Sequence, residues 1–268
     1  MDYWERQTKP DPDLLWNLPE QKSGACTIIG GNSSNFATEI KLAEFLNTLN
    51  LKEVRLILPD VLKNKLPPLD NLVFAPSTDS GSFDKSPELT ASINSTDSIL
   101  IAGDLSKNSA TAIAISEVIK NCERPVIVTR DAIDAVAAES TSLLEQSNLI
   151  LVGSFTQLQK IFKTVYYPKM LLLSMPLVQA VETLHKFTLS YPCTILTFHQ
   201  EQIIIARDGK ITTVPINSTI YSPLTLWSGQ LAAKITALCA WLPNQLYQNT
   251  ITATCWQEKG QPIGYPSL

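Results

Sequence analysis

Residues 98–139 read SILIAGDLSKNSATAIAISEVIKNCERPVIVTRDAIDAVAAE, and this stretch decides the fold. It opens with the run SILIA at 98–102, apolar from Ile99, which stops at Gly103-Asp104. Residues 109–120 then put Ala112, Ile115, Val118 and Ile119 at helical spacing. A second apolar run at 125–129 ends at Arg130-Asp131, and a second helical segment covers 132–139. Runs of four or five β-branched and aliphatic residues, each followed by an amphipathic helix, predict strands buried on both faces of a mainly parallel sheet. Such units join by right-handed crossovers and place helices on both sheet faces. Ligands in these sheets bind beyond the carboxyl ends of the strands, so positions 30–35, 103–106, 129–131 and 153–157 are the ones to watch.

The pattern extends in both directions. Upstream, residues 25–29 predict a strand ending in Gly30-Gly31-Asn32, followed by a helix over 35–49. Phe36, Ile40, Ala43, Leu46 and Leu49 supply its apolar face. Residues 54–58 form the next strand, closed by Pro59, and 72–75 a short one. The Ser- and Asp-rich segment 76–87 reads as a surface loop. Downstream, the strand at 148–152 leads through Gly153-Ser154 into a helix over 156–164. A helix over 176–190 carries Val178, Val181, Leu184, His185 and Phe187 as inner candidates. Strands at 193–198, 202–206 and 211–215 follow, the last two joined by the hairpin signal Asp208-Gly209. Residues 1–23 read as an extended N-terminal arm pinned by Trp4, Leu14, Leu15 and Trp16. The main domain spans 24–243. Residues 244–268 are a C-terminal tail packed on it, with 250–256 readable as strand or helix end.

Composition bounds the function. The chain has 268 residues and a formal charge of -4, with 44% hydrophobic residues. That supports one large domain with a substantial core. A mildly acidic chain argues against nucleic acid or an anionic membrane as partner. No apolar run reaches the roughly 20 residues of a membrane helix, and the polar N-terminus has no secretory h-region. Five scattered cysteines within apolar runs indicate reduced core thiols and a cytoplasmic protein. His185 and His199 lack metal-ligand spacing, so no metal site is expected. His185 reads as a satisfied, partly buried histidine and His199 as an exposed one. Asp60, Lys63 and Lys65 read as a solvated charge cluster.

The stretch YSPLTLWSGQLAAKITALCAW at 221–241 reads as a turn running into a central helix, with Pro223 on the approach. Ala232, Ala233, Ile235, Ala237, Leu238 and Ala240 make it apolar nearly all round. At its start, Trp227-Ser228-Gly229-Gln230 could face an anion with unpaired amides. The order of motifs now resembles the ribokinase-like superfamily, and within it the ADP- or ATP-dependent NAD(P)H-hydrate dehydratases. The family's IGGS is similar to Ile29-Gly30-Gly31-Asn32, and its GPGLG falls at 102–106. Its DADAL falls at 129–133, its TPHxGE at 152–157 and its LKG at 196–198. Its G(S/T)GD falls at 227–230, before the small-residue helix. The resemblance implies a three-layer α/β sandwich, an ADP or ATP site with Mg²⁺, NAD(P)H hydrate as substrate and a homo-oligomer.

The departures from the motifs imply lost catalysis on a retained fold. The catalytic aspartate of G(S/T)GD is Gln230, and an amide cannot exchange a proton near neutral pH. The first glycine of that anion hole is Trp227. The histidine and glutamate of TPHxGE are Ser154 and Gln157, the lysine of LKG is Thr197, and the first aspartate of DADAL is Thr129. The expected nucleotide-pocket residues are Gly30, Gly31, Asn32, Gly103, Asp131, Ser154, Thr197, Ser228 and Gly229. Gly30-Gly31-Asn32 could equally make a tight turn. Asp131 could meet a ribose or metal, or cap the helix at 132. Asp104 could bind a cation or lie in a solvated loop. The expected role is a divergent dehydratase-like nucleotide-binding pseudoenzyme. The alternatives are an active lyase using Asp104 or Asp131 with Mg²⁺, and a small-molecule kinase.

Overall fold

A computed structural model describes residues 2–5, 21–138, 140–216 and 227–255. One ten-stranded sheet organises them, in the order β1-β10-β9-β8-β7-β6-β5-β2-β3-β4. Strands β2 (Ala25–Gly30), β3 (Glu53–Pro59) and β4 (Leu72–Ala75) step outward on one side. Strands β5 (Ser98–Gly103), β6 (Val126–Thr129), β7 (Leu149–Val152) and β8 (Thr194–His199) step outward on the other. All of these pair in parallel. Strands β9 (Gln202–Arg207) and β10 (Lys210–Pro215) add antiparallel to β8, and β1 (Asp2–Glu5) pairs parallel to β10. Chain order therefore reverses between β2 and β5, and a crevice is expected beyond their carboxyl ends.

Every central strand is buried on both faces, and alternate residues feed two cores. Ile29, Ile57, Ile101, Val128, Leu151 and Ile195 face one core; Ile28, Leu56, Leu100, Ile127, Ile150 and Leu196 face the other. The first core is covered by α2 (Pro87–Ala91), α3 (Ser109–Asn121), α4 (Ala132–Ala138), α5 (Ser140–Leu144), α6 (Phe155–Thr164) and α7 (Leu177–Ser190). The second is covered by α1 (Ala37–Asn47), α8 (Gln230–Trp241) and α9 (Leu246–Thr254). The sandwich is three-layered and mainly parallel, as the alternation of runs predicts. Helix α8 is buried from Leu231 through Ala240. Its small side chains let it lie close on the sheet, and the Ser98 hydroxyl donates to its Thr236 carbonyl at 2.8 Å.

Several local expectations change. The fully buried stripe of α1 is Glu39, Leu42 and Leu46, while Phe36, Ile40, Ala43 and Leu49 are only partly buried. The helix turns that way because Gly30 leaves room for a side chain at 39: a Cβ there would lie 2.8 Å from Glu39 Cγ. The segment 76–87 is not wholly a surface loop, since Ser82 and Phe83 are buried and the Thr111 hydroxyl donates to the Phe83 carbonyl. Val178 is 69% exposed because Ala180, Val181, Leu184 and Phe187 form the inner stripe of α7. Residues 246–254 are helical, and the Thr250 and Thr254 hydroxyls are satisfied by carbonyls of their own helix. The hairpin turn at Asp208-Gly209 is present, both residues left-handed. Gln200-Glu201 makes an equivalent turn between β8 and β9 without a glycine. Residues 6–20, 217–226 and 256–268, with Leu14, Leu15, Trp16 and Pro223, lie outside the described residues. No described helix is long and apolar enough to cross a membrane.

Burial pushes the thiols of Cys26, Cys193 and Cys239 up to about 12, so they are core groups, not nucleophiles.

Candidate functional site

The crevice between β2 and β5 is occupied by side chains of the chain itself. Gly103 (φ +105) ends β5, and Asp104 (φ +52) follows it. Arg130 (φ +57) follows β6. These turns aim the Arg130 guanidinium at the Asp104 carboxylate in a two-pronged pair, with Nη1 to Oδ2 at 3.0 Å and Nη2 to Oδ1 at 2.8 Å. Nη1 also lies 3.5 Å from Oε1 of Glu39 on α1. Glu39 is fully buried, and its Oε2 has no hydrogen-bond partner. Asp131 Oδ1 accepts the Asp104 amide at 2.7 Å. Asp104, expected as a cation site or a solvated loop residue, is held by Arg130 through both side-chain oxygens, and Asp131 fixes the neighbouring loop by accepting the Asp104 amide. Adjacent small residues make this closeness feasible. A Cβ on Gly103 would collide with Asp131 Oδ1, and one on Gly30 would press on Glu39 and on the Gly103 carbonyl.

The electrostatics follow from burial. Desolvation and then the nearby Asp104 charge push Glu39 up to about 8, partly opposed by Arg130. Glu39 is therefore mainly protonated at neutral pH. Desolvation also raises Asp131, opposed by the Asp104 amide. The ion pair is worth keeping only as a unit, because removing one partner strands a buried charge.

Asn32 joins the two strand ends. Its Nδ2 donates to the Asp104 carbonyl at 2.6 Å, and its Oδ1 accepts the Ser34 and Asn35 amides. Gly31 (φ +86) donates its amide to the Gly103 carbonyl at 2.9 Å. The glycine pair thus makes the tight turn and brings the loop against the crevice.

Helix α8 begins beside this network. Gly229 caps it in the left-handed conformation (φ +81), and a Cβ there would meet Leu42 at 3.1 Å and Arg130 Cδ at 3.7 Å. The Gln230 amide is 3.4 Å from the Ser228 hydroxyl. Gln230 is exposed and Trp227 is 51% exposed. Arg130, whose Cδ lies beside Gly229 at the helix start, is held by Asp104. No group of three or more His, Cys, Asp or Glu side chains among the described residues could hold a metal ion.

Ser154 and Gln157 form a reciprocal cap on α6. The Ser154 hydroxyl accepts the Gln157 amide, and Gln157 Oε1 accepts the Ser154 amide at 3.0 Å. Gln157 Nε2 then donates to the Arg130 carbonyl at 2.6 Å, so its side chain is spent on structure. Thr129 donates its hydroxyl to the Val152 carbonyl at 3.0 Å. Thr197 is fully buried in β8, and its hydroxyl has no partner. His185 is half-buried with Nδ1 against the Gly209 carbonyl, as expected. His199 is not exposed: it is 4% accessible, stacks on Phe155 at 4.2 Å, and has Nε2 2.8 Å from the Met175 carbonyl. The α6–α7 connection folds over the end of β8 and covers it. Asp60 accepts from Ser77, and Lys65 donates to the Ser33 carbonyl, so these two are tied to neighbouring loops.

Two cavities flank the network. One of about 410 Å³ lies between the starts of α3 and α4, with Asp131, Asp134, Lys107 and Lys160 among its lining. The other, about 230 Å³, lies beyond β6, β7 and β8, between Val152, Phe155, Phe198, Leu173 and Trp227. Sequence reasoning brought Gly30, Gly31, Asn32, Gly103, Asp104 and Asp131 to one place. Ser228, Gly229 and Gln230 stand across Arg130 from them. Thr197 stays apart as a core residue. Glu39 and Arg130 were missed as site residues. The available signals were an acid within the inner stripe of α1 and an arginine at a strand end next to Asp131.

No protein-family model matches the chain, and no curated protein matches it. Solved structures do. A ribokinase-like superfamily protein from Enterococcus faecalis superposes with a TM-score of 0.65 at 14% identity, covering 93% of this chain and 84% of that one. A protein from Streptococcus mutans superposes with 0.63 at 15% identity, covering 92% and 83%. The ADP/ATP-dependent NAD(P)H-hydrate dehydratase from Bacillus subtilis, co-crystallised with ATP/Mg²⁺ and soaked with CoA, superposes with 0.57 at 14% identity, covering 87% and 82%. At these identities the likeness is one of fold, and the fold is ribokinase-like.

Proposed function

We propose that this chain is a dehydratase-like protein that has lost ordinary catalysis and keeps a small-molecule pocket able to take part of a nucleotide. The observation that carries the reading is the self-filled crevice. At the point of the sheet where a substrate would lie, Arg130 pairs with Asp104, and Glu39 is buried beside them. Gln230 stands where the resembled family places its catalytic aspartate. The carboxylates near it do not replace it readily: both Asp104 oxygens hold Arg130, and Glu39 is sealed from solvent. The α8 start supports phosphate binding through its first-turn amides.

One observation favours a second reading. Asp131 lines the larger cavity and has a raised pKa, which suits proton transfer. An active lyase would use it, and Asp131→Asn would then abolish turnover. The deciding assay is ADP- or ATP-dependent dehydration of NADPH hydrate by the full chain, followed by reduced-nicotinamide absorbance. The expected result is no turnover above the uncatalysed rate, in the wild type and in Gln230→Asp alike, because the crevice stays filled. Turnover at an ordinary enzyme rate would falsify the reading. The same reading makes the protein a cytoplasmic homo-oligomer, which light scattering checks by mass.

A further inference from the structure

Helix α7 buries one face in the first core and turns the other outward. Val178, Glu182, Lys186 and Leu189 follow one another along that outer face at helical spacing. Val178 is 69% and Leu189 64% exposed, and the two charged side chains between them are about half exposed. Single exposed apolar residues are ordinary on a protein surface, so the weight here lies in the order. The row reads apolar, acid, base, apolar, and it is self-complementary when reversed. Laid antiparallel on a copy of itself, it brings Glu182 to the partner's Lys186 and Lys186 to the partner's Glu182. Val178 then comes beside the partner's Leu189. Each contact occurs twice, as an isologous two-fold interface requires.

The charges have capacity to spare. Within one chain Lys186 Nζ donates to Glu182 Oε1 at 2.8 Å, and Lys169 Nζ lies 3.6 Å from Glu182 Oε2. An ammonium has three donors and a carboxylate about four acceptor sites, so both groups can take a second partner. A stable dimer hides ~800 Å² per partner, more than one helix row supplies. The connection 165–176 broadens the face. Its Tyr167 packs edge-on against Phe162 at 5.1 Å and Phe187 at 5.0 Å, which fixes it beside α7. Its Tyr166 is 91% exposed, and Met170 and Leu172 are exposed too.

We propose that α7 and the connection before it form a two-fold interface between two copies of this chain, with α7 antiparallel to its copy and Glu182 paired with the partner's Lys186 across the axis. The proposal rests on the homo-oligomer of the reading above and gives it a surface. It makes no use of a nucleotide or of the filled crevice. The apolar ends supply the buried area, and the charged centre sets register and direction, because a parallel pairing would bring like charges together.

The test is sedimentation and light scattering of the full chain at micromolar concentration, for the wild type and for Val178→Glu, Glu182→Lys and Lys186→Glu. All three side chains point outward, so folding is retained and is checked by circular dichroism. The wild type is expected at the mass of a dimer or a larger even multiple. Glu182→Lys and Lys186→Glu each set like charges against each other twice, and each should weaken association about tenfold or more. Val178→Glu weakens it as well, by placing a charge beside the partner's Leu189. The sharpest arm mixes the two charge variants in equal amounts. Association should return in the mixture, because the new lysine of one chain then faces the new glutamate of the other. A mixture that associates no better than either variant alone overturns the proposal. So does an oligomer that none of the three variants weakens, which leaves the homo-oligomer reading standing on another surface. A monomeric wild type removes the interface and the homo-oligomer together, and the turnover assay still judges the lost catalysis by itself.

Discussion

The crevice between β2 and β5 and the cavity beyond β6–β8 lie on the same edge of one sheet and are opposites. The crevice is charged and filled by its own residues; the cavity is open and lined mainly by apolar side chains. Arg130 belongs to both: its guanidinium pairs with Asp104 in the first, and it is among the residues lining the second. The contrast shows how one strand end can close a binding region and bound another. A guanidinium held two-pronged by a carboxylate is rigid. Once Asp104 and Glu39 are placed, the arginine cannot serve a ligand without leaving a buried acid behind.

The largest expected effect tests the filled crevice. Arg130→Ala strands Asp104 beside Glu39 and should cost about 3–5 kcal/mol in urea unfolding. The double variant Arg130→Met, Asp104→Leu should recover most of that loss, since replacing both charges leaves neither unpaired. A double variant as unstable as the single one would break the account of a mutually compensated pair.

Gly103→Ala comes next. The residue has φ +105, and its new Cβ would collide with the Asp131 carboxylate. A loss of about 1–3 kcal/mol is expected, with the midpoint shifted and the denaturant slope unchanged.

The pH dependence sharpens the picture of Glu39. Its folded pKa of about 8 exceeds the ordinary 4.5, so the native state holds a proton that the unfolded chain has released. Stability from this group is therefore fullest below about 4.5 and falls as pH rises toward 8, levelling off above. Glu39→Gln should remove that part of the slope and be more stable than wild type near pH 8. Parallel pH profiles for the two proteins would show that Glu39 is ionised in the fold.

The smallest effect marks the open cavity. Trp227→Ala and Leu173→Glu should each change stability by less than about 0.5 kcal/mol, as for exposed positions away from the core. A large loss at either position would mean that the cavity wall is part of the core and unlike the surface the comparison describes.

Much of this molecule was legible before folding. Apolar runs at 98–102, 125–129 and 148–152 with helical spacing between them leave few alternatives to a buried parallel sheet, because period and burial are written into the residue types. The glycines at 30 and 31 were legible as a tight turn. The charged cluster was less so. Asp104 and Arg130 are 26 residues apart, and only the left-handed turns at both strand ends point them at each other. Glu39 escaped notice because its helix has an apolar face on either neighbouring row. His199 follows a strand and precedes a polar turn, and its burial comes from a loop that starts some 24 residues earlier at Met175.

What the sequence by itself determined is the three-layer parallel architecture and the central position of α8. Each is a property of local residue type and period. Tertiary structure alone decided that the crevice is filled and the neighbouring cavity is not. Charge pairing and closure depend on distances between strand ends, and no spacing along the chain encodes them.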